Sequence, residues 1–175
     1  MKILEIGPSE IHARGGMVQV IRDIRESGRL GQEFEIDSFP SYIDGRLPVR
    51  LLYSVWGYLR FLFCYRKYDL FHIHTAERGS TFRKNFYLRT VKRAGKKAVI
   101  HVHGAEYLAF YDSLGGWRKG SVDGFFGRAD LVLALSDGWK QELEGRFSMK
   151  ACQTLYNGVD PEKLRPAVSE PEGCR

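Results

Sequence analysis

Two histidine pairs are the side chains in this 175-residue chain whose type and spacing most directly suggest chemistry. His72 and His74 alternate along one apolar run, and His101 and His103 alternate along the next, so each pair lies on one face of a predicted strand. Several imidazoles together are a common ligand set for zinc. We nevertheless predict no metal site, because an assumed strand order of 3-2-1-4-5-6 separates the two pairs. No carboxylate or cysteine nearby has ligand spacing either.

The end of the predicted strand that contains His101 and His103 carries the candidate catalytic residues. His103 is followed by Gly104, so its ring or its carbonyl is expected to face a crevice. Structural packing is the alternative interpretation of this histidine. Glu106, three residues further on, is explained equally well as a general base or as the cap of the next turn. We predict His103 and Glu106 as the catalytic residues.

A glycine pair, Gly15-Gly16, follows the first predicted strand and opens the next helix. Glycine lets backbone amides approach a phosphate closely, and a helix N-terminus adds the positive end of its dipole. Together with the adjacent Arg14, the pair is predicted to contact a diphosphate. A flexible loop that needs glycine only for its turn is the alternative. The sequence has no G-x-G-x-x-G fingerprint for a dinucleotide.

Basic residues follow the third predicted strand. Arg78 lies in the loop after that strand, and Arg83 and Lys84 fall in the first turn of the next helix. Positive charge at a helix N-terminus opposes the helix dipole and is slightly destabilising. The binding of a ligand therefore explains the position of these basic residues better than chance does. We therefore predict that Arg78, Arg83, Lys84 and His74 bind an acceptor. The alternative is that these residues belong to a solvated helix face with no ligand. If the basic charge does bind a ligand, an anionic lipid or a diphosphate-linked acceptor is the expected one.

The segment Leu47–Lys67 is apolar around most of its circumference. At helical spacing its polar residues form one narrow stripe, which consists of Arg46, Arg50, Ser54, Gly57, Arg60, Cys64 and Lys67. The apolar run is shorter than a bilayer span and is interrupted by Arg60, so we exclude a transmembrane helix. Deep burial under neighbouring helices is the prediction. Contact with a membrane surface, another domain or a subunit is the alternative.

Short apolar runs alternate with amphipathic segments along most of the chain. The predicted strands are Lys2–Ile6, Phe34–Phe39, Asp69–Thr75, Lys97–His103, Asp130–Leu135 and Cys152–Leu155. The predicted helices are Met17–Ser27, Leu47–Lys67, Thr81–Ala94, Trp117–Arg128 and Gly138–Phe147. This alternation predicts an α/β fold with a doubly wound, mostly parallel, Rossmann-like sheet. In the assumed strand order, the loops after strands 1 and 4 flank one crevice.

Composition narrows the class of protein. An apolar content of 43% and a charged content of 27% are ordinary for a globular domain. The charged N-terminus is unlike a signal peptide, and three cysteines without ligand spacing favour the reducing cytoplasm. The net charge of +6 favours partners that carry phosphate, including membrane headgroups at the inner face. No motif for reading nucleic acid accompanies the charge, so no nucleic-acid partner is predicted.

Five segments together resemble the N-terminal domain of GT-B-fold glycosyltransferases of family four, also called group 1. In chain order, they are Gly15-Gly16, Asp69–His74, Val102–Gly104, Ala129–Ser136, and Asn157–Asp160 with Pro166. They are similar to the family's glycine-rich loop, its third, fourth and fifth strands, and the segment that joins its two domains. The resemblance implies that residues 1–156 form the N-terminal domain and residues 157–175 an interdomain linker. The C-terminal, donor-binding domain is expected to be absent from this chain.

The resemblance implies glycosyl transfer. In this family the N-terminal domain chiefly binds the acceptor, and the C-terminal domain binds the sugar nucleotide, which is a co-substrate and not a cofactor. Gly15 and Gly16 are implied to approach the donor diphosphate, and His103 to contact the transferred sugar. Transfer is implied to retain the anomeric configuration and to need no metal. The implied acceptor is a glycan or a lipid-linked group in polysaccharide or glycolipid synthesis.

One departure from the family limits what this chain is expected to do alone. The family's C-terminal domain carries a paired-glutamate motif that holds the donor, and this sequence has no counterpart of it. The chain is therefore expected to work with a C-terminal domain or a separate donor-binding subunit. A non-catalytic binding subunit on the same half-fold is the alternative.

Overall fold

A six-stranded, all-parallel β-sheet organises the protein. The computed structural model describes residues 1–158. Its strands are β1 Lys2–Pro8, β2 Glu35–Tyr42, β3 Leu70–Thr75, β4 Lys97–Val102, β5 Leu131–Ala134 and β6 Cys152–Thr154. The predicted α/β, Rossmann-like fold is confirmed, and each predicted strand is present with ends that differ by at most three residues.

Seven α-helices connect the strands within residues 1–158. They are α1 Gly16–Glu26, α2 Gly28–Glu33, α3 Leu47–Cys64, α4 Gly79–Arg93, α5 Tyr107–Asp112, α6 Gly116–Arg128 and α7 Asp137–Arg146. A short 3-10 helix, Tyr65–Lys67, follows α3 directly. The five predicted helices are confirmed. The sequence did not predict α2 and α5, because six residues are too few to show a helical period.

The strand order is β2-β1-β3-β4-β5-β6. The assumed order 3-2-1-4-5-6 is therefore wrong, because β3 pairs with both β1 and β4. The segments that connect β1 to β2 and β2 to β3 are similar in length, so both strand orders are possible for this chain. The pattern of apolar residues does not show whether the third strand pairs with β1 or with β2. The order of strands reverses at β1 and β3, and ligand crevices of open α/β sheets form at such a reversal.

The handedness of the crossovers divides the helices between the two faces of the sheet. The step from β1 to β2 runs opposite to the later steps, so right-handed crossovers place α1 on one face and α3, α4 and α6 on the other. The α3 side holds an aromatic core, in which the ring centroid of Phe61 lies 4.9 Å from that of Tyr87. The α1 side carries four buried polar side chains, which are Glu5, His72, His74 and His101.

Helix α3 differs most from its prediction. It packs on β2 and α4, yet Gly57 and Phe61 are its only buried residues. Its polar stripe faces the protein, since the guanidinium groups of Arg50 and Arg60 lie 5.0 and 4.6 Å from the centroids of aromatic rings on β2. The apolar side chains consequently face outward, and the prediction of deep burial is wrong.

Two further predictions concern membrane insertion and the end of the chain. Within residues 1–158, none of the helices has both the length and the apolar character needed to cross a bilayer. The predicted linker begins at Asn157, and the part of it from residue 159 to residue 175 lies outside the described residues.

Candidate functional site

Two neighbouring pockets open at the carboxyl ends of the strands. The basic pocket has a volume of about 320 Å³, and the glycine–histidine pocket has a volume of about 390 Å³. Met17, Ala76 and Glu77 line both, so the two pockets adjoin. Ala76 and Glu77 follow β3, and Met17 lies in α1 after β1, which puts the pockets where the strand order reverses.

The basic pocket concentrates positive charge. Four arginines and one lysine line it, namely Arg14, Arg50, Arg78, Arg83 and Lys84. Glu77 is the only carboxylate among the described residues that line it. Burial, with a smaller contribution from Arg50, lowers the pKa of Arg83. The buried Nε atoms of Arg50 and Arg83 have no hydrogen-bond partner within residues 1–158. Cations this poorly neutralised suit an anionic ligand.

Tyr42 and Lys84 fix the shape of the basic pocket. The ring of Tyr42 lies beside two arginines, with the guanidinium carbons of Arg50 and Arg83 at 5.0 and 4.8 Å from its centroid. Lys84 is 1% exposed and donates a hydrogen bond of 2.9 Å to the carbonyl of Ile6 in β1 and another to a hydroxyl on β2. Burial holds the pKa of Lys84 well below its usual value. Lys84 therefore joins the ends of two strands beneath the pocket.

Arg78 has an unusual backbone conformation at the start of α4. Its φ of 62° is the only positive φ of a non-glycine residue within residues 1–158. Conformations of this kind cost about 1–3 kcal/mol and concentrate at functional sites. The first turn of α4 contains no acidic residue, so nothing within that turn neutralises the positive end of the helix dipole beside Arg78.

The glycine–histidine pocket begins at the N-terminus of α1. Gly15 is the N-cap of that helix and has a φ of 129°. Residues with a side chain rarely adopt this backbone conformation. A Cβ atom built on Gly15 or Gly16 would meet no other group within 4 Å, so the space in front of both is open. The first turn of α1 has no acidic residue. Open backbone amides at a helix N-terminus are a good site for phosphate.

His103, just after β4, is joined by hydrogen-bond contacts to His74 in β3 and through it to Glu5 in β1. Its Nε2 lies 3.0 Å from Nδ1 of His74, whose Nε2 lies 3.4 Å from Oε1 of Glu5. When Glu5 accepts from Nε2 of His74, Nδ1 of that ring is an acceptor, and His103 must donate through Nε2. Nδ1 of His103 is then unprotonated. Burial, followed by the neighbouring His72, lowers the pKa of His103 to about 4, so the ring is neutral at neutral pH.

The four histidines meet on the α1 side of the sheet, so the prediction that the two pairs stay apart is wrong. Potential ligand atoms of His72, His74 and His101 lie within 4.8 Å of one another, because β3 pairs directly with β4. The rings of His72 and His101 lie within 7° of parallel, with their centroids 5.4 Å apart. The absence of a metal site stays a prediction, although its original geometric reason is gone.

Comparison with known proteins identifies the family. A family model described as Glycosyltransferase Family 4 matches residues 9–163, a range that contains most of the residues lining both pockets. The chain belongs to glycosyltransferase family 4. The resemblance seen in the sequence is thereby confirmed. No curated protein matches the chain.

This family 4 chain brings most of the predicted site residues together, in two groups. The basic pocket holds three of the predicted acceptor residues, and the glycine–histidine pocket holds Gly15, Gly16, His103 and Glu106. Arg14, predicted beside the glycines, lines the basic pocket instead. Glu106 is exposed and makes no side-chain cap to α5. His74 lines neither pocket, because it is fully buried between Glu5 and His103.

Four residues of the family 4 site were not predicted, namely Glu5, Tyr42, Arg50 and Glu77. Two of them carried a signal. A glutamate in the middle of the apolar first strand needs a buried polar partner, and Arg50 stands in the polar stripe of α3. Tyr42 and Glu77 reach the site only because their strands end there, which the sequence alone does not show.

Proposed function

We propose that this chain is the acceptor-binding half of a retaining glycosyltransferase. It would move a sugar from a sugar nucleotide to a glycan or a lipid-linked acceptor, in the synthesis of cell-surface polysaccharide or glycolipid. A donor-binding domain, in a longer chain or a separate subunit, completes the proposed enzyme. The reaction uses no metal and no cofactor besides the sugar nucleotide, and takes place in the cytoplasm at the inner face of the membrane.

The observation that carries the proposal is the adjacency of two pockets with different chemistry. The basic pocket suits an anionic group of the acceptor, which Arg50, Arg78 and Arg83 would bind. The glycine–histidine pocket suits the donor, with its diphosphate at Gly15 and Gly16. Because the pockets adjoin, an acceptor in one would lie next to the reacting sugar in the other.

The proposed mechanism relies on electrostatic stabilisation. The bond between the anomeric carbon and the diphosphate breaks as the acceptor oxygen bonds to that carbon, and negative charge develops on the leaving diphosphate. Backbone amides at Gly15-Gly16 and the N-terminus of α1 stabilise this charge. Nδ1 of His103 accepts a hydrogen bond from a hydroxyl of the sugar. Glu106 takes the proton of the acceptor hydroxyl.

A transfer assay tests the proposal. The chain is assayed alone and with a donor-binding domain of another family 4 enzyme, using labelled sugar nucleotides and acceptors with or without phosphate. We expect transfer only when both parts are present. Arg83→Met should raise KM for an anionic acceptor at least about tenfold, since a charged hydrogen bond contributes about 1.5–3 kcal/mol. Arg89→Met is the matched control, because Arg89 lies on the same helix but outside the basic pocket.

The assay has two outcomes against the proposal. An Arg83→Met variant with an unchanged KM would contradict the assignment of the basic pocket to the acceptor. Anion binding that depends on Arg83, without transfer in the presence of any supplied domain, would favour a non-catalytic binding subunit.

A further inference from the structure

The outward side of α3 is an apolar surface that no described residue covers. The α3 face consists of the exposed side chains of Leu51, Leu52, Val55, Trp56, Leu59, Leu62 and Phe63. Leu52 is 71% exposed and Phe63 is 90% exposed. Side chains three and four positions apart are neighbours on a helix, so these residues form one continuous stripe. A contiguous apolar patch on a globular protein marks an interaction site.

The surroundings of the α3 face are basic. Residues 46–67 contain five arginines and lysines and no Asp or Glu, and α4 contains no acidic residue. Phe86 of α4, also exposed, lies 6.0 Å from Tyr58 of α3 between ring centroids. The exposed Arg89 and Arg93 follow Phe86 at helical spacing. Cations therefore border the apolar stripe, and the helices that form it carry no negative charge.

We propose that the α3 face docks on an anionic lipid membrane, with α3 lying in the plane of the interface. Interfacial helices insert Leu, Phe and Trp and carry basic residues alongside them. Trp56 suits the level of the headgroups, where tryptophan is enriched. The net charge of +6 adds attraction to anionic headgroups. Docking follows from the surface of α3 and does not depend on the function proposed above.

A second copy of this chain is the competing occupant. Two α3 faces in contact would bring their basic borders together, and neither α3 nor α4 offers a carboxylate to pair with them. An anionic bilayer neutralises the same cations. Charge complementarity therefore favours the membrane.

Docking has a consequence for the site. Arg50 lies in the first turn of α3, on the side that faces the protein, and also lines the basic pocket, so docking of the outward side holds that pocket about one helix diameter, 10–12 Å, from the bilayer surface. The anionic headgroup of a lipid-linked acceptor would reach the pocket while its lipid stays in the bilayer. This step alone rests on the proposed function.

Flotation of the whole chain with vesicles tests docking. We expect binding to vesicles of phosphatidylcholine with phosphatidylglycerol, and at least about tenfold weaker binding to phosphatidylcholine alone or at high salt. The double variant Leu52→Glu/Phe63→Glu should lower the partition coefficient at least about tenfold. Leu155→Glu is the control, because Leu155 is also exposed but follows β6, at the opposite edge of the sheet from β2, on which α3 packs, and this variant should bind as the parent does.

Quenching by lipids brominated in their acyl chains separates insertion from adsorption. We expect vesicle-bound protein to show strong quenching that is mostly lost in Trp56→Phe, while that variant still floats. Equal flotation of the double variant, or bound protein without Trp56-dependent quenching, overturns the proposal. Dimerisation that the double variant abolishes, without vesicle binding, overturns it in favour of a second copy. Since neither donor nor acceptor is present, the result is independent of the transfer assay.

Discussion

At the scale of single residues, Glu5 determines what His103 can offer a ligand. Glu5 is fully buried in β1, and its Oε1 lies within 3.4 Å of ring nitrogens of both His72 and His74. By fixing the tautomer of His74, Glu5 also fixes that of His103, whose remaining nitrogen can only accept. A sugar hydroxyl is a donor and suits this nitrogen, whereas an unprotonated phosphate oxygen does not. Glu5 is thus a positioning residue.

Glu5→Gln tests this positioning role. An amide both donates and accepts, so either tautomer of His74 is satisfied and His103 is released from a single form. We expect ¹⁵N NMR of the imidazoles to show His103 in both tautomers. In the transfer assay, kcat should fall at least about tenfold while KM for the acceptor changes little.

Glu33→Gln serves as the control, since Glu33 is exposed in α2. Unchanged imidazole signals in a folded Glu5→Gln variant would remove the role assigned to Glu5.

Several residues of the candidate site carried a signal that is local in the sequence. Arg83 and Lys84 were selected because a helix start near Thr81 would place them in its first turn, against the helix dipole. Because α4 begins at Gly79, they stand in its second turn, and both line the basic pocket. Gly15 was selected as a glycine in front of a helix, and it has the positive φ that only glycine adopts freely. The role of Glu5 could not be predicted in full, because its partners lie on strands that approach it only in the folded sheet.

At the scale of elements, the sequence predicted the length of α3 but not its orientation. A narrow polar stripe usually faces water, yet here the rings of Phe39 and Tyr42 receive the cations of that stripe. The pattern of polar residues cannot reveal aromatic partners on another element. Gly57 stands at the centre of the inward side, facing Tyr87 and the carbonyl of Pro40.

Gly57→Ala should stabilise the fold. A Cβ there would lie 3.5 Å from the hydroxyl of Tyr87, which is an ordinary contact, and alanine in place of glycine inside a helix contributes about 0.5–1 kcal/mol. Urea unfolding followed by circular dichroism measures the change. Gly95→Ala is the matched comparison, because Gly95 has a φ of 70° after α4 and should lose about 1 kcal/mol. A destabilised Gly57→Ala would show that α3 packs more tightly on β2 than we describe.

At the scale of the whole molecule, the six strands were predictable but their order was not. Each strand shows itself as a local apolar run, whereas the pairing of β3 with β1 joins residues far apart in sequence, such as Ile3 and Leu70. The order decides which side chains share a face of the sheet. It brings the histidine pairs together and inserts the loop after β3 between the two loops that were expected to flank the crevice.

The buried histidines make the stability of the whole fold sensitive to acid. Burial is the main cause that lowers the pKa of His74, of His101 to about 2 and of His103 to about 4. The unfolded chain binds these protons near pH 6.5, so stability is complete above that pH and is lost as the pH falls towards the folded pKa values. Each histidine should remove about 1.4 kcal/mol of unfolding free energy per pH unit in this window.

Urea unfolding at pH 7.5, 6.5 and 5.5 measures this loss. His101→Leu should make the pH dependence shallower by about one proton, since its two ring nitrogens have no partner within residues 1–158. His12→Leu is the control for replacing a histidine by leucine at an exposed position. An unfolding free energy that is constant from pH 7.5 to 5.5 would mean that these rings are protonated in the folded state.

The strained backbone of Arg78 lowers the stability of the fold at a residue that lines the basic pocket. A domain is stable by only about 5–15 kcal/mol, so the conformation of this one residue removes an appreciable part of it. Glycine would adopt the same φ without strain but would remove a guanidinium from the pocket wall. Selection for thermal stability and selection for anion binding therefore oppose each other at Arg78. Arg78 in this backbone conformation is therefore a trade-off between stability and anion binding.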